Sequence, residues 1–168
     1  MFRDAKRYDI RWIYLWSFTM RLNQASDFAL RLTMQCAMQP DVIQRIDQVV
    51  QQQGFSRGHV MKLVNQLSRA GILETMRGRG GGFKLGRLAK HISVGDVVRA
   101  VENDFAVVEC LRQSECGEIH CCFLPSCRLK PLMQRASSAF LDVLDEMTIE
   151  SAITGLPVPD VLVTQQKQ

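Results

Sequence analysis

Five of the six cysteines fall between Cys110 and Cys127, in the stretch CLRQSECGEIHCCFLPSC, and only Cys36 lies elsewhere. From Cys110 the intervening lengths are five residues, four, none and four; counted across Cys122, Cys121 and Cys127 are separated by five. Several thiolates on one loop suit a soft metal or an iron–sulfur cluster. A structural zinc site usually shows two short Cys pairs or histidines spaced to match. Here only Cys116 and Cys121 have a short pair's separation, with His120 beside the second. A disulfide knot needs an oxidising compartment, which nothing in the sequence indicates. A catalytic thiol needs a base and an orienting partner, and histidines scattered at 59, 91 and 120 give little support for one. The residues alone favour an iron–sulfur cluster over zinc and over redox thiols.

Such a loop must be held by folded elements on both sides. A chain of 168 residues fits one domain, or a small domain with an appendage, and can bury a real core. The net charge is +4, unevenly spread: residues 1–55 carry +2, residues 56–91 carry +7 and residues 92–168 carry −5. A basic middle beside an acidic C-terminal half points to an anionic partner docking on one part of the surface, with nucleic acid first. No apolar run approaches the roughly 18 residues of a membrane span. The start, MFRDAKRYDIRWIYLWSFTM, resembles a weak signal peptide, but Asp4 and Asp9 sit in its positive region and no small-residue cleavage site follows. Residues 1–19 read as a dispensable extension ahead of Met20, and the expected location is the cytoplasm.

From Gln24, apolar residues recur at Ala25, Phe28, Ala29, Leu32 and Cys36 with helical spacing, after Asn23 as N-cap and before Pro40. Cys36 on this face reads as a buried structural thiol. A second helix is expected over roughly Ile43–Gln52, broken by Gly54. In FSRGHVMKLVNQLSRAGIL, Ser56 can cap a third helix whose apolar stripe is Val60, Leu63, Val64 and Leu67, with Gly71 as its stop. Arg57, His59, Lys62, Gln66 and Arg69 occupy its other face. This is the helix-turn-helix pattern. ILETMRGRGGGFKLGR reads as a β-hairpin with a basic, glycine-rich tip. No GK[ST] sequence follows the glycines, which argues against a phosphate-binding loop. The hairpin reads instead as the wing of a winged helix-turn-helix. VGDVVRAVEND reads as a short helix. Past Pro131, Leu132, Ala136, Ala139, Phe140, Val143, Leu144 and Met147 trace a long amphipathic helix that lacks an equal partner in the chain, so pairing with its own copy in a homodimer is expected.

The stretches MRLNQASDFALR, FSRGHVMKLVNQLSRAGIL, RGRGGGFKLG, ISVGDVVRAVE, VVEC and CRLKPL run in order from Met20 to about Gly155. In this the chain resembles the family of iron–sulfur winged-helix regulators, and within it the NsrR-type nitric-oxide-sensitive repressors. The resemblance implies a mainly α fold with a small β-hairpin: an extension over 1–19, a winged helix-turn-helix domain over 20–92, a cluster loop and dimerisation helix over 93–155, and a flexible tail over 156–168. It implies a DNA-binding regulator, most naturally a repressor, and not an enzyme, that loses its operator when a 2Fe–2S or 4Fe–4S cluster is nitrosylated. Cys110, Cys121 and Cys127 best match the family's three ligands. Cys116 is the second choice for the middle one, and Cys116 and Cys122 are extra thiols in a loop longer than usual. Cys110-x5-Cys116-x5-Cys122 also has the spacing of the related cluster-biogenesis regulator IscR. Asp27 holds the position of a non-cysteine fourth ligand, against its plain reading as a first-turn carboxylate favoured by the helix dipole. Double-stranded DNA would be met by Ser56, Arg57, His59, Lys62 and Gln66 of the recognition helix, with Arg77 and Arg79 of the wing reaching the backbone or minor groove. The alternatives are a cluster-biogenesis or redox-sensing regulator of the same family, a zinc-stabilised DNA-binding protein, or a thiol-redox enzyme or scaffold.

Overall fold

The computed structural model describes residues 22–78, 80–102, 104–111, 121, 123–124, 126–159 and 162. The expected extension over 1–19 lies outside these residues. Helix α1 (Gln24–Met38) opens where Asn23, in extended conformation, accepts hydrogen bonds from the Ala25 and Ser26 amides at 2.6 and 3.1 Å. These satisfy donors that the first turn leaves without helical partners. Ala29, Leu32 and Cys36 face inward as the periodicity requires.

Helix α2 (Ile46–Gln53) begins three residues later than the expected Ile43, and Gly54 ends it at φ +70°. The reason is Gln44. Its backbone forms an antiparallel bridge with Phe83, exchanging N–H···O bonds of 2.8 and 2.9 Å, so this segment edges the wing instead of starting a helix. Helix α3 (Arg57–Arg69) follows, capped by Ser56, with Val60, Leu63, Val64 and Leu67 buried. Strands β1 (Leu73–Met76) and β2 (Gly82–Leu85) then pair in the hairpin register Leu73↔Leu85 to Met76↔Gly82. A Cβ at Gly82 would lie 2.2 Å from the Gln44 carbonyl oxygen, so only glycine lets the two backbones approach.

A buried chain of amides fixes this corner. Gln35 donates to the Oε1 atoms of Gln44 (2.9 Å) and Gln52 (2.7 Å), Gln44 donates to Gln39 (3.0 Å), and Gln53 donates to Gln35 (2.8 Å). Gln39 in turn donates to the Leu162 carbonyl at 2.8 Å. Leu162, within the stretch expected as a tail over 156–168, is itself buried.

Helix α4 (Val94–Val101) starts on a reciprocal capping box between Ser93 and Asp96 and buries Val97, Val98 and Val101. Helix α5 (Leu129–Asp145) begins two residues before Pro131, which is tolerated in the first turn where its missing N–H has no helical role. Its 17 residues extend about 25 Å, and none of them is buried. The sequence reading contained no counterpart of helix α6 (Ile149–Ile153), which Thr148 caps. Here the chain re-enters the core: Val94 N–H bonds the Met147 carbonyl at 2.9 Å, Ile149 N–H bonds that of Ile92 at 2.8 Å, and Ile149 is fully buried. One hydrophobic cluster joins Leu32, Val60, Leu67 and Phe83 to Val97, Val101 and Ile149. The fold is mainly helical with a two-stranded antiparallel wing. Among the described residues no helix is long and apolar enough to cross a membrane.

Candidate nucleic-acid interface and thiol site

Helix α3 presents two exposed rows. Arg57, Met61 and Asn65 line a groove of about 410 Å³ whose opposite wall is the wing, with Arg77 and the Gly81–Gly82 backbone. His59 and Lys62 form the other row, and His59 lies on the side of α1. The His59 ring sits edge-on to Phe28 at 6.1 Å, and Phe28 stacks on Phe55 at 3.7 Å. The Ser56 hydroxyl accepts from the His59 amide at 3.3 Å, so it serves the helix cap. Gln66 is half-buried, and its Oε1 is buried without a hydrogen-bond partner, a less open position than its place in the periodic pattern suggests. Arg57 forms an ion pair with Asp47 in the first turn of α2. Arg77 is exposed at the end of β1, and Arg79 lies outside the described residues.

Three groove residues escaped the sequence reading. Met61 and Asn65 share a face with Arg57 at i+4 and i+8, a spacing visible in the sequence. Arg45 carried no such signal, because its segment reads as helix. It occupies the N-cap position of α2 and is exposed beside the wing.

The thiols occupy a different part of the molecule. Cys110 sits in a single 3-10 turn, Glu109–Leu111, that packs against α5. Cys127 lies two residues before α5, and the Cys121 carbonyl accepts from the Leu124 amide at 3.1 Å. All three are free and partly exposed. Cys116 and Cys122 fall outside the described residues. Cys36, by contrast, is 1% exposed, and burial pushes its thiol up to about 12. It stays protonated at neutral pH and belongs to packing, as expected.

Asp27 is engaged by Arg31 one turn on, at 2.7 Å between Nη2 and Oδ2 and 3.2 Å between Nε and Oδ1. Among the described residues, no three His, Cys, Asp or Glu side chains gather into a metal-holding group. The donor chemistry fits a soft metal, since three unpaired thiols flank one short stretch.

Two tethers hold α4 between these regions. At its C-terminal end, Glu102 accepts from the Asn23 amide (3.1 Å) and the Ser26 hydroxyl (2.6 Å), fixing the start of α1. The second tether runs to α5: Asp145 meets the hydroxyl of the N-cap Ser93 at 3.0 Å and Arg99 Nη1, in the last turn of α4, at 2.8 Å. The Arg99 hydrogen bond first, and that of Ser93 second, hold the Asp145 carboxyl below its ordinary value. A Cβ on Gly95 would lie 2.0 Å from Asp145 Oδ1, so the clamp closes only over glycine.

Comparison with known proteins agrees with this arrangement. A protein named aau3 from Rhizobium meliloti (strain 1021) is 38% identical over 138 residues, 82% of this chain and 88% of that one. The HTH-type transcriptional regulator NsrR of Bacillus licheniformis is 37% identical over 136 residues, 80% of this chain and 92% of its own. Among solved structures, CymR, the global cysteine regulator of B. subtilis, superposes with a TM-score of 0.62 at 24% identity, over 82% of this chain and 99% of that one. T. potens IscR gives 0.62 at 18% identity, over 89% and 94%. These two structures share the fold. The model of the Rrf2 family, described as iron-dependent transcriptional regulators, matches residues 22–155, and the chain belongs to this family of DNA-binding, non-enzymatic regulators.

Proposed function

We propose that the protein is a homodimeric repressor that reports nitric oxide through an iron–sulfur cluster held by Cys110, Cys127 and a middle cysteine, Cys121 before Cys116. The observation that carries this reading is the placement of the free thiols. Cys110 lies on a turn packed against α5, Cys127 sits at the helix's N-terminal end, Cys121 between them in sequence is partly exposed, and Cys36 alone of the described cysteines is sealed in the core. Similarity to NsrR over 80% of the chain supports the signal. Bound iron supplies reactivity toward nitric oxide, which competes with its thiolate ligands. Asp27, one turn from Arg31, is the candidate fourth ligand once that ion pair opens.

The protein's own residues supply the coupling. Tying Cys110 to Cys127 fixes the N-terminal end of α5, while Asp145 fixes its other end on α4. Leu132, Val143 and Met147 of the α5 region are 53%, 62% and 51% exposed, an apolar face suited to a second copy. Release of the thiols would free one end of this helix and change the spacing of two recognition helices, which must match half-sites about one DNA turn apart.

Anaerobic purification with visible absorption, iron and sulfide analysis tests the assignment. The wild type should be coloured, Cys110→Ser and Cys127→Ser colourless, and nitric oxide should remove colour and operator binding together. A colourless zinc protein, or five single Cys→Ser variants all retaining colour and response, would sink it.

A further inference from the structure

We propose that Arg45, and not Arg57, provides the DNA-phosphate contact at the mouth of the groove between α3 and the wing, and that Asp47 creates this division. The proposal rests on the reading of the groove as the DNA-facing surface. Arg57 is the first residue of α3 and the natural candidate by position, but its guanidinium is bonded to Asp47. The pair is charge-neutral at close range, so a phosphate approaching it meets little net attraction.

Arg45 differs in each respect. It stands in extended conformation (φ −103°, ψ 142°) at the junction between the Gln44 bridge and α2, and makes no side-chain cap bond. It forms no ion pair with any described residue. Its guanidinium crosses toward the wing, where Nη2 lies 4.0 Å from the position of a Cβ on Gly80. An exposed fork of five donors beside a glycine backbone can grip a phosphate from two sides, which an ammonium cannot do. The Gln44–Phe83 bridge holds the preceding residue at both backbone atoms, so the backbone from which the fork extends is fixed beside the wing.

The test uses the full chain in its anaerobically prepared form and two duplexes of equal length: one enriched from a random pool on the wild type, one unrelated. Dissociation constants are measured between 50 and 200 mM KCl. Each lost phosphate contact removes about 0.9 from the slope of log affinity against log salt, or about 3.5-fold over this fourfold range. Arg45→Ala should show that loss and weaken both duplexes by the same factor. Arg57→Ala should change the slope by less than half as much. Asp47→Asn should steepen it by about 0.9 as Arg57 is freed. Lys90→Ala, exposed on the short turn after the wing, controls for net charge, and thermal melts control for folding.

Salt-dependent wild-type binding with Arg45→Ala matching Lys90→Ala would overturn the assignment alone, as would Arg57→Ala losing as much slope as Arg45→Ala. Wild-type binding that ignores salt, or no duplex binding at all, would overturn the DNA-facing reading and this assignment with it.

Discussion

Helices α3 and α5 look alike in sequence and differ in what covers them. Both carry an apolar stripe at helical spacing. In α3 the stripe is closed: Val60 and Leu67 are fully buried, with Leu63 and Val64 nearly so, in a cluster with Phe83 and Ile72. In α5 no residue is buried, and Leu129, Leu132, Phe140 and Val143 all remain exposed. Full burial of such a side chain contributes roughly 1.5–3 kcal/mol. Helix α3 realises that stabilisation inside its own chain, whereas α5 does not. Periodicity identifies a stripe; it does not identify the partner.

The contrast is sharpest for substitutions that remove apolar volume. Phe83→Ala should cost about 3–5 kcal/mol, because a fully buried ring leaves a cavity beneath the Gln44 bridge. Denaturant or thermal unfolding would show it, and a loss below about 1 kcal/mol would mean that the wing collapses onto the gap. Asp145→Asn, at the joint between the two regions, should cost about 0.2–1 kcal/mol near neutral pH, as for an exposed ion pair. The Asp145 carboxyl titrates below its ordinary value, so its stabilisation is present above the ordinary carboxylate range and is lost as pH falls through the lowered one. Melting curves of wild type and variant should therefore converge on acidification, and a gap that does not narrow as pH falls below the ordinary carboxylate range would place the effect elsewhere. Val143→Ser should be the mildest for the fold of the single chain, within about 0.5 kcal/mol, since that side chain is 62% exposed. Its effect should appear in association: sedimentation at decreasing concentration should show the variant dissociating first. Equal dimer strength would show that this face of α5 does not form the proposed contact.

Most of the fold was legible because its signals are local. Asn23, Ser56 and Ser93 cap the helices they precede, and the stripes of α1 and α3 give the core directly. Two features were not. Gln44 follows apolar residues that read as a helix start, but its backbone is taken by Phe83, 39 positions along the chain. Helix α6 has only five residues, too few for a period, and its place is fixed by contact with Ile92. At the candidate site, residue types were visible and most of their engagements were not. The Asp27–Arg31 pair is readable as an i,i+4 spacing, but nothing local announces that Asp47 holds Arg57 or that Arg45 faces the wing.

The buried amides at Gln35, Gln39 and Gln44 have a consequence for alignment. A carboxamide has a donor end and an acceptor end, so a chain of them runs in one sense and cannot be joined out of step. If the segment at 44 slid by one residue against Phe83, its side chains would exchange faces. Arg45 or Ile43 would then enter the slot that Gln44 fills, and Gln39 and Gln35 would lose their partners. A leucine at 44 could supply the volume but would fit the slipped register nearly as well. The amides thus index the wing to the recognition helix, one tooth per notch, and the same indexing leaves the Arg45 fork pointing outward.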